Sequence, residues 1–126
     1  MYFKKSLKPY IINAFYTWAI DLGLTPLIEV IFNPNQKIPS YFYTNNQILL
    51  NIHPDATRNL VFGKDTIEFQ AKFNSETIEV SISHNDIFRI ANKEDGYSMD
   101  FELEIPDNIK KNLKPKLTII KNENNS

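Results

Sequence analysis

Thr66-Ile67-Glu68-Phe69-Gln70-Ala71-Lys72-Phe73, then Asn74-Ser75-Glu76, then Thr77-Ile78-Glu79-Val80-Ser81-Ile82-Ser83 is the stretch on which the fold turns. Apolar and polar residues alternate twice, with a period of two. Ile67, Phe69, Ala71 and Phe73 fall on one face of the first run, and Glu68, Gln70 and Lys72 on the other. Ile78, Val80 and Ile82 repeat the pattern after the break. Period two is that of a half-buried strand, in which successive side chains point to opposite faces. Two such runs around an Asn-Ser-Glu turn predict an antiparallel hairpin. A one-residue slip would expose every apolar side chain, so the register is strongly specified.

Short apolar runs punctuated by turn residues flank this hairpin. Leu27–Phe32 predicts a strand buried on both sides for part of its length, followed by turn chemistry at Asn33-Pro34-Asn35-Gln36-Lys37. Pro39 bars residues 39–43 from a central strand and predicts an irregular edge segment. Asn45-Asn46 is a turn, and Gln47–Ile52 a second firm strand ended by His53-Pro54-Asp55. Asn59–Phe62 is a short strand closed by Gly63-Lys64-Asp65. After the hairpin, His84-Asn85-Asp86 turns, and Ile87–Ala91 fits a short strand or a helical turn. Asp95-Gly96 precedes an alternating run, Tyr97 to Glu104, with Tyr97, Met99, Phe101 and Leu103 on one face.

Ahead of the strands stands one helix. Ser6 is a candidate N-cap, Pro9 suits the first turn, Gly23 suits the C′ position, and Pro26 stops the chain from continuing. Ile11, Phe15, Trp18 and Leu22 form one apolar stripe; Ile12, Tyr16, Ala19 and Ile20 form a second. Asn13, Thr17 and Asp21 leave a thin polar edge. A helix apolar on most of its circumference is buried on most of it. The pattern fits either a core helix or a core helix that also meets a second copy of the chain. One helix followed by about six short strands predicts a mainly β, α+β domain: a small, partly open barrel or sandwich.

The chain has 126 residues, 42% hydrophobic and 13% aromatic, enough for one domain with a real core. Net charge is −1 with both signs interspersed, which argues against a strong electrostatic grip on nucleic acid or an anionic membrane. No cysteine is present, which excludes disulfides, thiol catalysis and cysteine-based zinc sites. Residues 1–6 carry no apolar h-region and no run is long enough to span a bilayer, so a cytoplasmic location is expected. His53 and His84 both sit in turn sequences and share no metal-binding spacing, which predicts surface turn residues. No Gly-x-Ser-x-Gly or Ser-Lys arrangement occurs, and three glycines cannot build a phosphate-cradling loop. Glu68, Glu76, Glu79, Glu102 and Glu104 fit a solvated sheet face better than an acid–base pair. A binding module is therefore expected rather than an enzyme, with no cofactor and no metal.

Beyond Ile105 the sequence changes. Residues 106–113 are mostly polar and fit a linker. Lys114-Pro115-Lys116-Leu117-Thr118-Ile119-Ile120-Lys121 is an apolar island among lysines, and residues 122–126 are polar again. The island fits a last strand or a short linear motif equally.

Pro9-Tyr10, Ala14-Phe15-Tyr16, Trp18, Asp21 and Leu24-Thr25-Pro26, then Gln47 to Ile52 with Pro54 and Asn59-Leu60, then Phe69, Ala71, Phe73, Val80 and Ser81 resemble the stringent starvation protein B family. The likeness runs from about Lys8 to Phe101. It implies an open Sm-like or SH3-like β-barrel that forms a homodimer through its N-terminal helix, here with Ile11, Phe15, Trp18 and Leu22 at the seam. It implies an adaptor that binds ssrA-tagged polypeptides from stalled translation and tethers them to the ClpX N-terminal domain for degradation by ClpXP. An Sm-like RNA-binding module is the alternative, which the balanced charge disfavours.

Carried onto this sequence, the resemblance puts Asn51, Ile52, His53, Pro54 and Ala56 on one wall of the peptide groove. Glu68, Gln70, Ala71, Lys72 and Phe73 lie on or beneath the other. An extended peptide would hydrogen-bond to exposed backbone there. His53 stands where a small residue is usual in the family and Glu68 where a basic one is usual. The implied division is a tag-binding, dimerising domain over residues 1–105, a linker over 106–113, and a ClpX-docking tail over 114–126 with Leu117, Ile119 and Ile120 as anchors. A tether of that length reaches on the order of 15 Å.

Overall fold

The computed structural model describes residues 7–103, as one helix followed by seven strands. Helix α1 is Lys8–Asp21. The strands are β1 (Pro26–Ile31), β2 (Gln47–Asn51), β3 (Thr57–Phe62), β4 (Thr66–Phe73), β5 (Glu76–Ser83), β6 (Ile87–Asn92) and β7 (Ser98–Asp100). Single 3-10 turns occupy Ser40–Phe42, Pro54–Ala56 and His84–Asp86. All strand pairs are antiparallel. They form a four-stranded sheet of order β2-β1-β6-β7 and a three-stranded sheet of order β3-β4-β5, which do not join into a closed barrel.

α1 ends as its sequence predicts. Gly23 takes φ of 75°, its N–H bonds the Ile20 carbonyl at 3.0 Å, and the Leu24 N–H bonds that of Ala19 at 2.9 Å. This pair of bonds satisfies two carbonyls that the helix leaves open, and the left-handed backbone that makes it favours glycine. At the other end Leu7 is the N-cap, with no side-chain capping bond; Ser6 lies outside the described residues.

The two helical stripes are redistributed. Ile12, Phe15 and Ala19 enter the core, whereas Trp18 and Leu22 of the first stripe are 41% and 56% exposed and Ile11 is half-buried. Phe15 packs edge-on to Trp18 with centroids 5.2 Å apart and stacks on Tyr97 just ahead of β7. On its other flank Tyr16 meets Phe62 of β3 at 4.9 Å. α1 thus reaches from the β7 edge of one sheet to the β3 edge of the other.

The hairpin expected at residues 66–83 forms with continuous register, Ile67 opposite Ile82, Phe69 opposite Val80 and Ala71 opposite Ile78. Its turn is Asn74-Ser75 alone, both at positive φ (52° and 70°), and Glu76 belongs to β5. Two successive left-handed residues match the twist of a tight hairpin. Ile87–Asn92 is a strand, and a central one between β1 and β7. The run from Tyr97 is cut to the three residues of β7, all exposed, at the edge of the four-stranded sheet. On β1, Pro26, Ile28 and Val30 are buried and the alternate residues half-buried.

His84 is not a surface residue. It is 3% exposed, and Nε2 lies 3.0 Å from the Gly63 carbonyl. Its Nδ1 is buried without a partner among the described residues. Burial holds its pKa below the ordinary value, and the Lys8 charge acts in the same direction against the carbonyl of Gly63 and the carboxylate of Asp65. The polar composition of its turn hid this depth, which comes from α1 and the 63–65 turn packing over it.

Candidate functional site

The inner face of the β4–β5 hairpin changes character along its length. At the end near Ser83, Ile67, Phe69, Val80 and Ile82 are all at most 4% exposed. At the turn end, Ala71, Phe73 and Ile78 continue the same face but are half-buried, packed against the margin of the core. They form the floor of an open apolar trough.

Two 3-10 turns bank that floor. β3 pairs with β4 from Thr57 opposite Ala71, so the Pro54–Ala56 turn just before Thr57 stands at the Lys72–Phe73 end of β4. Its sequence closes it tightly. The Asn51 carboxamide accepts the His53 N–H at 2.9 Å, His53 Nδ1 accepts the Asp55 N–H at 2.9 Å, and the Ala56 N–H reaches the His53 carbonyl at 2.8 Å. His53, unexpected for a groove wall, is therefore the cap of this turn. The β3–β4 ladder is broken between Arg58 and Val61, where Asn59 takes φ of 59°.

The other bank is the Ser40–Phe42 turn. The Phe42 ring lies over Phe73 with centroids 4.8 Å apart, and Tyr41 lies beside Phe42 at 4.7 Å with 71% of its own surface exposed. The segment that carries these rings is pinned. The Lys37 N–H reaches the Ser81 carbonyl on β5 at 3.4 Å. Gln36 donates to the Ile31 carbonyl at 2.9 Å and to Asp86, and accepts from the Tyr43 hydroxyl. Burial, with the Asp86 charge nearby, pushes the Tyr43 phenol up to about 12.

The residues expected on the groove divide in two. Ala71 and Phe73 belong to the floor, and Pro54 and Ala56 to the turn beside it. Ile52 is fully buried and supports from beneath, while Asn51 and His53 fix the turn. Glu68, Gln70 and Lys72 occupy the opposite face of β4. Glu68 and Gln70 line a shallow pocket of about 200 Å³ there, with Lys37, Asn59, Glu79 and Ser81. Glu68 accepts from Thr66 Oγ1 at 3.1 Å, and Gln70 reaches Glu79 at 3.5 Å. β4 lies between β3 and β5 from Ile67 to Ala71, and only its Lys72–Phe73 end is paired on the β5 side alone. Tyr41, Phe42 and Ile78 were missed by the sequence argument. For Tyr41 and Phe42 the unread signal is the aromatic run Tyr41-Phe42-Tyr43 amid turn residues.

A second exposed apolar surface lies across α1 and β7. Tyr10, Trp18, Leu22, Tyr97 and Met99 are 37% to 60% exposed, and Trp18 and Tyr97 are in edge-on contact at 5.5 Å. Leu117, Ile119 and Ile120, with the linker and tail, lie outside the described residues.

Over the described residues, fold and surface together define a small α+β domain with an apolar trough and an apolar helix face open to solvent. The chain belongs to the stringent starvation protein B family, whose sequence profile matches residues 6–124. The stringent starvation protein B homolog of Haemophilus influenzae is 33% identical to it over 106 residues, covering 82% of this chain and 71% of the relative.

Proposed function

We propose that this protein is a proteolytic adaptor that catalyses nothing itself: it binds ssrA-tagged polypeptides from stalled translation and tethers them to ClpX for degradation by ClpXP. The observation that carries the proposal is the half-covered trough of Ala71, Phe73 and Ile78 in a chain of this family. An apolar floor between two fixed turns suits an extended peptide, whose alternate side chains fill pockets while its main chain pairs. Pro54 and Ala56 form one bank, and Asn51, Ile52 and His53 hold that bank in place. Glu68, Gln70 and Lys72 are the residues a longer peptide meets as it passes round β4.

Leu117, Ile119 and Ile120 are the anchors that dock on the ClpX N-terminal domain. The domain is of the open Sm-like or SH3-like kind, and it works in the cytoplasm as a homodimer. Trp18, Leu22 and Ile11 form the seam, with Phe15 behind them as the core residue that sets the Trp18 ring. Two grooves and two tails in one particle raise the effective concentration of substrate at the protease without any new contact.

The test is degradation of a tagged reporter by ClpXP with and without this protein. Removing residues 114–126 is expected to leave tag-peptide binding intact and abolish the stimulation. Stimulation that survives the truncation, or tag binding lost with it, contradicts the assignment of the tail.

A further inference from the structure

β5 has one side paired and one side mostly open. All of its length pairs with β4 on one side. On the other, the Ser81 carbonyl takes the Lys37 N–H, and among the described residues no further main-chain bond is made along that edge. The N–H and C=O of a strand residue point the same way, and alternate residues point alike. Since the Ser81 carbonyl points away from β4, the main-chain groups of Glu79 and Thr77 do too. Both residues are exposed. A row of unpaired main-chain groups on a strand edge is a template for another strand.

This edge borders the trough on the side away from the Pro54–Ala56 turn. Ile78, between the two open residues, is part of the floor, paired with Ala71. The segment that runs on from Lys37 carries Tyr41 and Phe42, which continue from Phe73 of β4 as one file of rings. Tyr41 is the outermost of the three and the most exposed, on a segment already fixed by the Gln36 and Lys37 bonds. A fixed aromatic side chain loses little conformational freedom on binding.

We infer that the open edge of β5 at Thr77 and Glu79 grips an extended peptide by strand addition, and that Tyr41 packs on an apolar side chain of that peptide. This deepens the tag-binding proposal and rests on it. The edge supplies affinity that is indifferent to sequence. Tyr41 and the floor select side chains at alternate peptide positions, because only every second side chain of a strand faces the trough.

The experiment is a titration of the full chain with synthetic ssrA-tag peptides encoded by the same genome, each N-methylated at one successive backbone nitrogen. Strand addition predicts that losses alternate: methylation at every second position weakens binding by about tenfold or more, and the positions between are tolerated. Tyr41→Ala is expected to weaken the unmodified peptide by about tenfold and Tyr41→Phe to bind as the unaltered chain does, since the ring and not the hydroxyl is used. Thr77→Pro removes one outward N–H without touching the β4 ladder and is expected to weaken binding while the melting temperature holds. Normal binding of the unaltered chain with a flat methylation profile and an unaffected Tyr41→Ala overturns this inference alone. No binding of the tag by the unaltered chain overturns the adaptor proposal and this inference with it.

Discussion

The two halves of the β4–β5 hairpin obey one sequence rule and meet different fates. Ile67, Phe69, Val80 and Ile82 are sealed; Ala71, Phe73 and Ile78, next on the same face, stay half open. Alternation states which face is apolar, but not how far the opposing layer extends over it. A face that outruns its cover leaves apolar surface that a partner can bury, and this is where the binding site is proposed. α1 repeats the lesson in one stripe: Phe15 is sealed, and Trp18 three residues on is 41% exposed.

The sharpest contrast comes from charging the two aromatic residues of α1. Phe15→Glu places a carboxylate in the core and is expected to yield no folded protein, read by circular dichroism. Trp18→Glu is expected to fold and to convert the proposed dimer to monomer, read by light scattering at micromolar concentration. A monomeric unaltered chain would remove the proposed seam.

Truncations within the hairpin come next. Phe69→Ala, in the sealed half, is expected to cost about 3–5 kcal/mol in urea denaturation. Phe73→Ala, in the open half, is expected to cost about 1–2 kcal/mol, yet to weaken tag binding far more than Phe69 variants that remain folded. Equal stability losses at the two positions would break the division into sealed and open halves.

His84 tests the sealed end by pH. Its folded pKa lies below the ordinary value of 6.5 because burial disfavours the imidazolium. The unfolded chain therefore takes up the proton first as pH falls, and stability drops below about 6.5, by at most about 1.4 kcal/mol per pH unit. His84→Gln should flatten this dependence between pH 7 and pH 5. An unchanged slope would mean that other groups carry it.

The smallest effect is at the open tip. Ser75 holds φ of 70°, which costs a non-glycine residue. Ser75→Gly is expected to raise stability by about 0.5–1 kcal/mol without changing tag affinity.

The hairpin, the Gly23 stop of α1 and the strand ending at His53-Pro54 were legible because each rests on local chemistry: period, left-handed backbone or a missing donor. What was not legible depends on distant packing. The depth of His84 needs the 63–65 turn above it. The separation of Phe15 from Trp18 depends on where Tyr97 arrives, 79 residues after Trp18 in sequence. The site was half legible for the same reason. Ala71 and Phe73 follow from alternation, whereas the pairing of β4 on both sides up to Ala71, and on one side beyond it, is a property of strand order and register. The bank at Tyr41-Phe42 was hidden because Pro39 marked that segment only as irregular.

The measurement that bears most directly on the open half of the hairpin is an amide NMR titration of the full chain with the ssrA-tag peptide of its own organism. Saturable shifts are expected at Ala71, Phe73, Thr77, Ile78 and Glu79, at the Pro54–Ala56 turn through Asp55 and Ala56, and at Tyr41 and Phe42. Ile67 and Ile82, in the sealed half, should move little. No shifts up to about 1 mM peptide, or shifts confined to the Lys37, Asn59 and Glu68 pocket on the opposite face, would contradict the account.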